Sequence, residues 1–366
     1  MKAHKTKVLV IGSHSDSGFS MINFTKNNFA ALRGVESNIE LLFTKPPNIF
    51  SSYSPRIISK KYFIYLDKFL LFAPYLTLLV FFRKINVIHV LDHSDSIYRF
   101  FVGRNCKFLL TIHDLFAIQA AKGLIPEVST SQSGKIYQRL ISLGVSRADV
   151  ALAVSATTKN EMKILFPRVP TKVIHNFVNI ENFDSPQFGE EHQIEKYFLI
   201  LMNAHWRKDR LTSISAWKTL LQLEQFKHSS LKIIGNPLTN EEKSLISQSL
   251  LPRVSIQENL ERIHVSKLYR ESLAVINISK YEGFGLPVIE ANIYGKICIY
   301  GGSAALREIA GPININWDLI KRQLITPELS KNIISTTKRR LAHEYAVLNF
   351  SAQKYVDRVF AVYRSL

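Results

Sequence analysis

Two carboxylates eight residues apart, Glu282 and Glu290, frame the stretch of this chain best suited to chemistry, Ser279-Lys280-Tyr281-Glu282-Gly283-Phe284-Gly285-Leu286-Pro287-Val288-Ile289-Glu290-Ala291. An apolar strand, Ala274–Ile278, leads in, and a helix follows with Pro287 in its first turn, where a missing N–H costs nothing. Gly283 and Gly285 let the backbone approach a ligand and aim amides at it. The partial positive charge of the helix N-terminus then suits a phosphate or diphosphate. A purely structural tight turn would use the same glycines. A carboxylate beside a phosphate would be repelled, so the natural partners of Glu282 and Glu290 are hydroxyls. Diphosphate amides flanked by two hydroxyl acceptors describe a nucleotide-sugar pocket, one Glu on the ribose and one on the sugar. His113, at the end of the strand Phe108–Ile112, stands where α/β domains bind ligands, although a satisfied structural His has the same signature.

The elements that must position these groups are short apolar runs alternating with longer amphipathic stretches. Val8–Ile11, Val87–Leu91, Phe108–Ile112, Val150–Val154 and Lys172–His175 read as strands in the first half. Tyr197–Met202, Leu231–Ile234, Ala274–Ile278 and Ile297–Tyr300 do so in the second. Helix-length segments such as Ser213–Phe226 and Pro287–Tyr294 lie between them, so the pattern predicts two α/β domains with parallel sheets covered on both faces. Asn176–Glu195 reads as the linker, and Lys331–Leu366 is helical in pattern. The segment Tyr62–Phe82 is apolar but interrupted by Asp67, Lys68 and Pro74. Its clean part, residues 69–82, falls short of the ~20 residues a spanning helix needs. The expectation is a buried helix packed on the first sheet, with an interfacial segment as the alternative that the basic flanks Lys60, Lys61, Arg83 and Lys84 keep open.

Composition narrows the classes. The 366 residues exceed what one hydrophobic core supports, and 21% charged with 11% aromatic residues excludes a disordered chain. Cys106 and Cys298 are too distant in sequence and too few for a disulfide framework or a cysteine zinc site. The run Val8–Ile11 is too short for a signal peptide and reads as the first strand of a cytoplasmic protein. The net charge is +18, and residues 1–180 carry 23 Lys+Arg against 10 Asp+Glu. Such an excess points to an anionic partner or to a generally basic surface. A basic-aromatic face or a recognised module for nucleic acid is not visible, so nucleic acid is not an expected partner.

Glu282 and Glu290 with the string Glu282-Gly283-Phe284-Gly285-Leu286-Pro287, then Gly295 and Leu306-Arg307-Glu308-Ile309-Ala310-Gly311, resemble the E-x7-E region of glycosyltransferase family 4. The resemblance implies an α/β chain of GT-B fold, two Rossmann-like domains facing across a cleft. It implies an N-terminal acceptor-side domain over residues 1–180 and a donor-binding domain over 181–340. Residues 341–366 would form a C-terminal helix packing back on the N-terminal domain. Glu282 would contact the donor sugar near the reacting carbon, Glu290 the ribose, and Phe284, Gly285 and Leu286 the sugar and diphosphate through their backbone. Arg207-Lys208-Asp209 resembles the family's Arg-Lys-Asn, which makes Lys208, beside Arg207, a cation for the diphosphate. Asp209 departs from the usual Asn, and Leu201-Met202-Asn203 replaces the usual Gly-Arg or Gly-Thr. His113-Asp114 resembles the family's His-Asp, which implies a hydrogen bond from His113 to the donor sugar or reacting face. Gly12 to Gly18 resembles the glycine-rich acceptor loop, and Phe177 stands where a hinge glycine is usual. His89–His93 and Ser146–Ser155 match as architecture.

The expected activity is therefore retaining transfer of a hexose-type sugar, mannose among the candidates, from a nucleotide-diphosphate sugar to a glycan hydroxyl. No cofactor or metal is expected. The aromatic segment and the basic first half favour a lipid-linked acceptor in surface polysaccharide or lipopolysaccharide synthesis, at an anionic membrane surface on the cytoplasmic side. A soluble acceptor, or a non-catalytic sugar-nucleotide-binding scaffold, is the alternative.

Overall fold

The computed structural model describes residues 5–33, 38–53, 59–179, 186, 197–320 and 326–366. The chain divides into two compact units, one of residues 1–175 with 355–366 and one of residues 176–354. The expected division lay at 180/181 and 340/341. Most of the linker expected over Asn176–Glu195 lies outside the described residues.

In the first unit, β1 (Thr6–Ile11), β2 (Ile39–Thr44), β3 (Val87–Val90), β4 (Lys107–Ile112), β5 (Val150–Ala153) and β6 (Thr171–Val173) form a parallel sheet in the order β2-β1-β3-β4-β5-β6. The inner strands are apolar almost throughout because helices cover both faces, and β3 and β5 are buried at every position. In the second unit, β7 (Tyr197–Leu201), β8 (Ser230–Ile234), β9 (Val254–Gln257), β10 (Ala274–Ser279), β11 (Cys298–Gly302) and β12 (Ile315–Asn316) are ordered β12-β11-β10-β7-β8-β9. All pairs in both sheets are parallel. Strand order reverses between β1 and β3 in one sheet and between β7 and β10 in the other. At such a switch point neighbouring loops leave towards opposite faces, opening a crevice at the strands' carboxyl ends. The second unit shows this directly. Helix Arg210–Leu220, after β7, packs Ile214 and Trp217 with Ile276 and Ile278 on one face. Helix Leu286–Ile293, after β10, packs Val288 and Ala291 with Val275 on the other.

The C-terminal part is helical in three pieces, Pro327–Ile334, Thr336–Phe350 and Ala352–Ser365. The second belongs to the second unit, where His343 Nδ1 meets the Ile293 carbonyl at 2.8 Å. The last joins the first unit from Tyr355 onward. Tyr355 donates to Asn28 Oδ1 at 2.6 Å, and the Tyr363 hydroxyl meets His89 Nδ1 at 2.7 Å. His89 Nε2 in turn meets Thr111 Oγ1 at 2.8 Å. Burial alone lowers the His89 pKa to about 3, so a neutral ring ties β3 and β4 to this helix.

One expectation holds only on one side. The helix Lys60–Arg83 packs Phe72, Ala73 and Leu76 into the core of the first unit, but only 28% of its most apolar 18-residue stretch is buried. Its inward residues include Asp67 and Lys68, which a π-helical segment, Leu66–Phe72, turns to the inside together. Asp67 accepts from the backbone N–H groups of Ile49, Phe50 and Ser51 at 3.2, 2.8 and 3.0 Å. Lys68 donates to Asp95 at 2.7 Å. Much of the apolar character that suggested burial faces outward.

Candidate functional site

In the second unit the loops after β7 and β10 are stitched together at the switch point. The Arg207 carbonyl accepts from the N–H groups of Lys280 at 2.8 Å and Tyr281 at 3.3 Å. The Lys280 ammonium lies 5.5 Å from the Trp206 ring centre, a cation–π contact. Asp209 caps the following helix by accepting from Thr212 N at 3.3 Å, which suits the Asp found there. This scaffold carries Lys208 from one loop to Glu282 on the other. Lys208 Nζ donates to Glu282 Oε1, which also accepts from Ser279 Oγ at 3.0 Å. The side chains are 22% and 9% exposed, so the pair is screened from bulk water yet open enough to exchange partners. An ammonium and a carboxylate so placed offer one donor group to a phosphate and one acceptor to a hydroxyl.

Gly285 caps the helix Leu286–Ile293 with φ +115°, a conformation that L side chains rarely adopt. A Cβ there would stand 2.5 Å from Leu306 Cδ2. Gly285→Ala is therefore expected to cost about 1–3 kcal/mol from backbone strain, with a further loss from displacing Leu306. Urea denaturation checks this, and an unchanged midpoint would contradict it. Phe284 is buried and meets Phe350 edge-on, ring centres 5.7 Å apart, so its side chain is committed to packing. Any contact it makes with a ligand must come from its backbone. Leu286 is half-buried at the first helical position, beside Pro287.

Glu290, one turn into this helix, has its own partners. Tyr269 donates to Oε2 at 2.9 Å, and Arg262 Nη1 approaches Oε1 at 3.4 Å. Tyr269 stacks on Tyr294 with ring centres 5.1 Å apart. Burial and the Glu290 charge push the Tyr269 pKa well above its ordinary value, so its proton is always available to Glu290. The carboxylate is held in one orientation, with Oε1 towards the half-exposed Arg262. Sequence reasoning missed Ser279 as a partner of Glu282, and Tyr269 and Arg262 as partners of Glu290. The last two come from a helix about twenty residues earlier, and no local spacing announces them.

The remaining predicted residues belong to the first unit. His113 follows β4. Its Nε2 lies 2.9 Å from the Leu91 carbonyl, which can only accept, so Nε2 carries the proton and Nδ1 is the basic nitrogen. The ring stands edge-on to Phe24, with centres 4.5 Å apart. Burial holds its pKa down against the opposing pull of Asp92. Gly12 permits a close approach, since a Cβ there would fall 2.2 Å from Thr25 Cγ2 on helix Phe19–Leu32. The loop that follows is organised by His14, which the sequence did not single out. His14 Nδ1 accepts from Asp16 N at 3.0 Å, and Nε2 lies 3.4 Å from Ser51 Oγ and 3.5 Å from Asp67. Burial would raise the Asp67 pKa, but the Ser51 hydroxyl and the three backbone N–H groups hold it below the ordinary value. Among the described residues, no three His, Cys, Asp or Glu side chains are grouped to hold a metal ion.

Comparisons with known proteins agree with this architecture. Residues 33–182 match the family model "Glycosyltransferase Family 4", and residues 183–317 match "Glycosyl transferases group 1". Among solved structures, sucrose-phosphate synthase from Thermosynechococcus elongatus superposes with TM-score 0.67 at 15% identity, covering 99% of both chains. Anabaena HepE in complex with UDP-glucose gives 0.64 at 14%, covering 98% of this chain and 100% of that one. The lipopolysaccharide outer core galactosyltransferase WaaB gives 0.63 at 15%, covering 99% and 100%. At such identities these likenesses carry the fold, that of GT-B enzymes. No curated protein sequence matches the chain.

Proposed function

Since this chain belongs to the family 4 glycosyltransferases, we propose that it moves a hexose-type sugar, with mannose among the candidates, from a nucleotide-diphosphate sugar to a glycan hydroxyl with retention of configuration. The observation that carries the reading is the Lys208–Glu282 pair at the β7/β10 switch point, next to the Gly285-capped helix that carries Glu290 one turn in. Lys208, with Arg207 beside it, would take the diphosphate in place of a metal, and the backbone of residues 284–286 would face it at the helix N-terminus. Glu282 would hold sugar hydroxyls near the reacting carbon, and Glu290, fixed by Tyr269, the ribose. In the first unit, His113 would accept from a sugar hydroxyl through Nδ1, and Gly12 would shape the acceptor loop.

The anomeric carbon–phosphate bond breaks towards an oxocarbenium ion as the acceptor oxygen bonds to the same face. The acceptor proton passes to the departing diphosphate. Lys208 stabilises the charge gathering on that group. Glu282 binds and stabilises charge rather than forming a covalent adduct, unlike the carboxylate pairs of glycosidases. The UDP-glucose in HepE and the sugar transfer named for WaaB support a nucleotide-sugar donor and a glycan acceptor. The basic first half supports a lipid-linked acceptor in surface polysaccharide or lipopolysaccharide synthesis, on the cytoplasmic side of the membrane.

A thermal-shift panel of nucleotides and nucleotide sugars tests the donor. One base is expected to stabilise the protein, by about 2.7 kcal/mol at a hundred times its dissociation constant. Chromatography of the product, with and without lipid-linked glycan, then identifies the acceptor class. No shift with any nucleotide, together with no donor consumption, would overturn the reading.

A further inference from the structure

The helix Lys60–Arg83 buries one side, with Phe72, Ala73 and Leu76 in the core, and exposes an apolar side opposite. Its charged Asp67 and Lys68 are buried and paired, whereas Tyr62, Leu66, Leu70, Tyr75, Leu78 and Phe81 are exposed. These six recur at intervals of three to five, so they follow one side of the helix for about 30 Å. Phe81 is 75% exposed and Phe82 73%. Neighbouring elements extend the patch. Thr77 donates to the Phe101 carbonyl at 2.7 Å, which sets the exposed Phe100 and Phe101 near the C-terminal third of the helix. Tyr65 lies against Tyr137 of the helix Gln132–Val145, ring centres 4.9 Å apart, and that helix carries the exposed Ile136, Leu140 and Leu143. A contiguous apolar surface of this extent marks a binding face.

The charges around it say what it fits. Lys60 and Lys61 stand at one end of the helix and Arg83 and Lys84 at the other, with Lys135, Arg139 and Arg147 exposed on or just past the neighbouring helix. Residues 1–180 as a whole carry 23 Lys+Arg against 10 Asp+Glu. A second copy docked through the same face would set these cations against their own kind. An anionic lipid surface complements both features, taking the apolar side chains among its acyl chains and the cations among its headgroups.

We propose that the outward face of Lys60–Arg83, with Phe100–Phe101 and the flank of Gln132–Val145, docks the first unit onto an anionic bilayer with the helix lying in the interface. The helix does not span, because Asp67 and Lys68 tie its inner side to the Ile49–Ser51 turn and to Asp95. For its purpose this rests on the lipid-linked acceptor reading. Its test needs neither donor nor acceptor, so the two fail separately.

Sedimentation of the full chain with vesicles is the measurement. Phosphatidylcholine vesicles containing about one third phosphatidylglycerol are expected to bind it at least tenfold more tightly than pure phosphatidylcholine, and 1 M salt to weaken that binding at least tenfold. Leu70→Asp with Phe81→Asp is expected to reduce binding at least tenfold, and Lys61→Glu with Arg83→Glu to remove the preference for anionic vesicles. Both pairs are exposed, so circular dichroism should match the wild type. Leu348→Asp, an exposed site of the second unit, should bind like the wild type. The proposal is overturned by equal binding to both vesicle types, or by full binding of folded Leu70→Asp/Phe81→Asp. Sedimentation equilibrium showing a dimer that this variant dissociates would also overturn it, and would make the face a contact between copies.

Discussion

Glu282→Ala is expected to lower kcat for sugar transfer by about 10²–10³-fold, the usual cost of removing one preorganised charge-stabilising group, with little change in KM. Three observations lead there. Glu282 is 9% exposed, it accepts from both Lys208 and Ser279, and it sits in the loop between β10 and a helix N-terminus. Its carboxylate is thus fixed before a substrate arrives and pays no reorganisation during reaction. Glu290→Ala should behave differently. A hydroxyl contact remote from the reacting carbon stabilises ground and transition states alike, so the loss should fall mainly on KM. Steady-state kinetics with the donor found by thermal shift separates the two. A wild-type rate from Glu282→Ala would remove this residue from the mechanism.

Arg210→Met is expected to destabilise the second unit by about 3–5 kcal/mol at neutral pH, because it leaves a buried carboxylate without its cation. The Arg210 guanidinium donates from Nε to Glu242 Oε1 at 2.6 Å and from Nη2 to Glu242 Oε2 at 2.5 Å. It also donates to the carbonyls of Asn236 at 2.7 Å and Pro237 at 2.9 Å. Both side chains are almost fully buried, at 1% and 2% exposure. Burial alone would raise the Glu242 pKa, but the Arg210 hydrogen bonds and the Thr239 N–H outweigh it, and the pKa is lowered from 4.5. A lowered pKa stabilises fully above the unfolded value and is lost as the pH falls through the folded one. The difference between wild type and Arg210→Met should therefore be largest near pH 7 and shrink as the pH falls, first as the variant's Glu242, raised by burial without its cation, protonates above 4.5, and finally as the wild-type carboxylate protonates below it. Urea titrations at several pH values measure this. A difference that stays constant with pH would contradict the ion-pair account.

The central strands were legible because they are buried on both faces and so appear as unbroken apolar runs, as in Val8–Ile11 and Ala274–Ile278. β2, β9 and β12 were not. They lie at sheet edges, where half-buried Val254 and Ile256 alternate with exposed Ser255 and Gln257, and Ile315–Asn316 is too short to form a run. The segment around Tyr62–Phe82 misled for a related reason. Hydropathy reports how apolar a helix is but not which side faces in, and a π-helical stretch shifts the register that periodicity would need. In the site, Glu282, Gly285 and Glu290 announced themselves through spacing along one loop and helix. Their fixing groups, Ser279 and Tyr269, did so less or not at all, since a partner from another helix leaves no mark in local spacing. Arg210 had a readable half. Thr239-Asn240-Glu241-Glu242 is a capping-box sequence, and Thr239 N donates to Glu242 at 2.8 Å, but nothing in it reveals the arginine.

The chain passes from the first unit to the second after residue 175 and returns after residue 354, so the second unit is an insertion within the first. On the ribosome, residues 176–354 emerge before the segment that supplies Tyr355 to Asn28 and Tyr363 to His89. Domains ordinarily fold in order of synthesis. Here the unit begun first is completed last, and the nascent sheet around His89 waits, uncovered by its helix, while a whole domain is made and folded behind it.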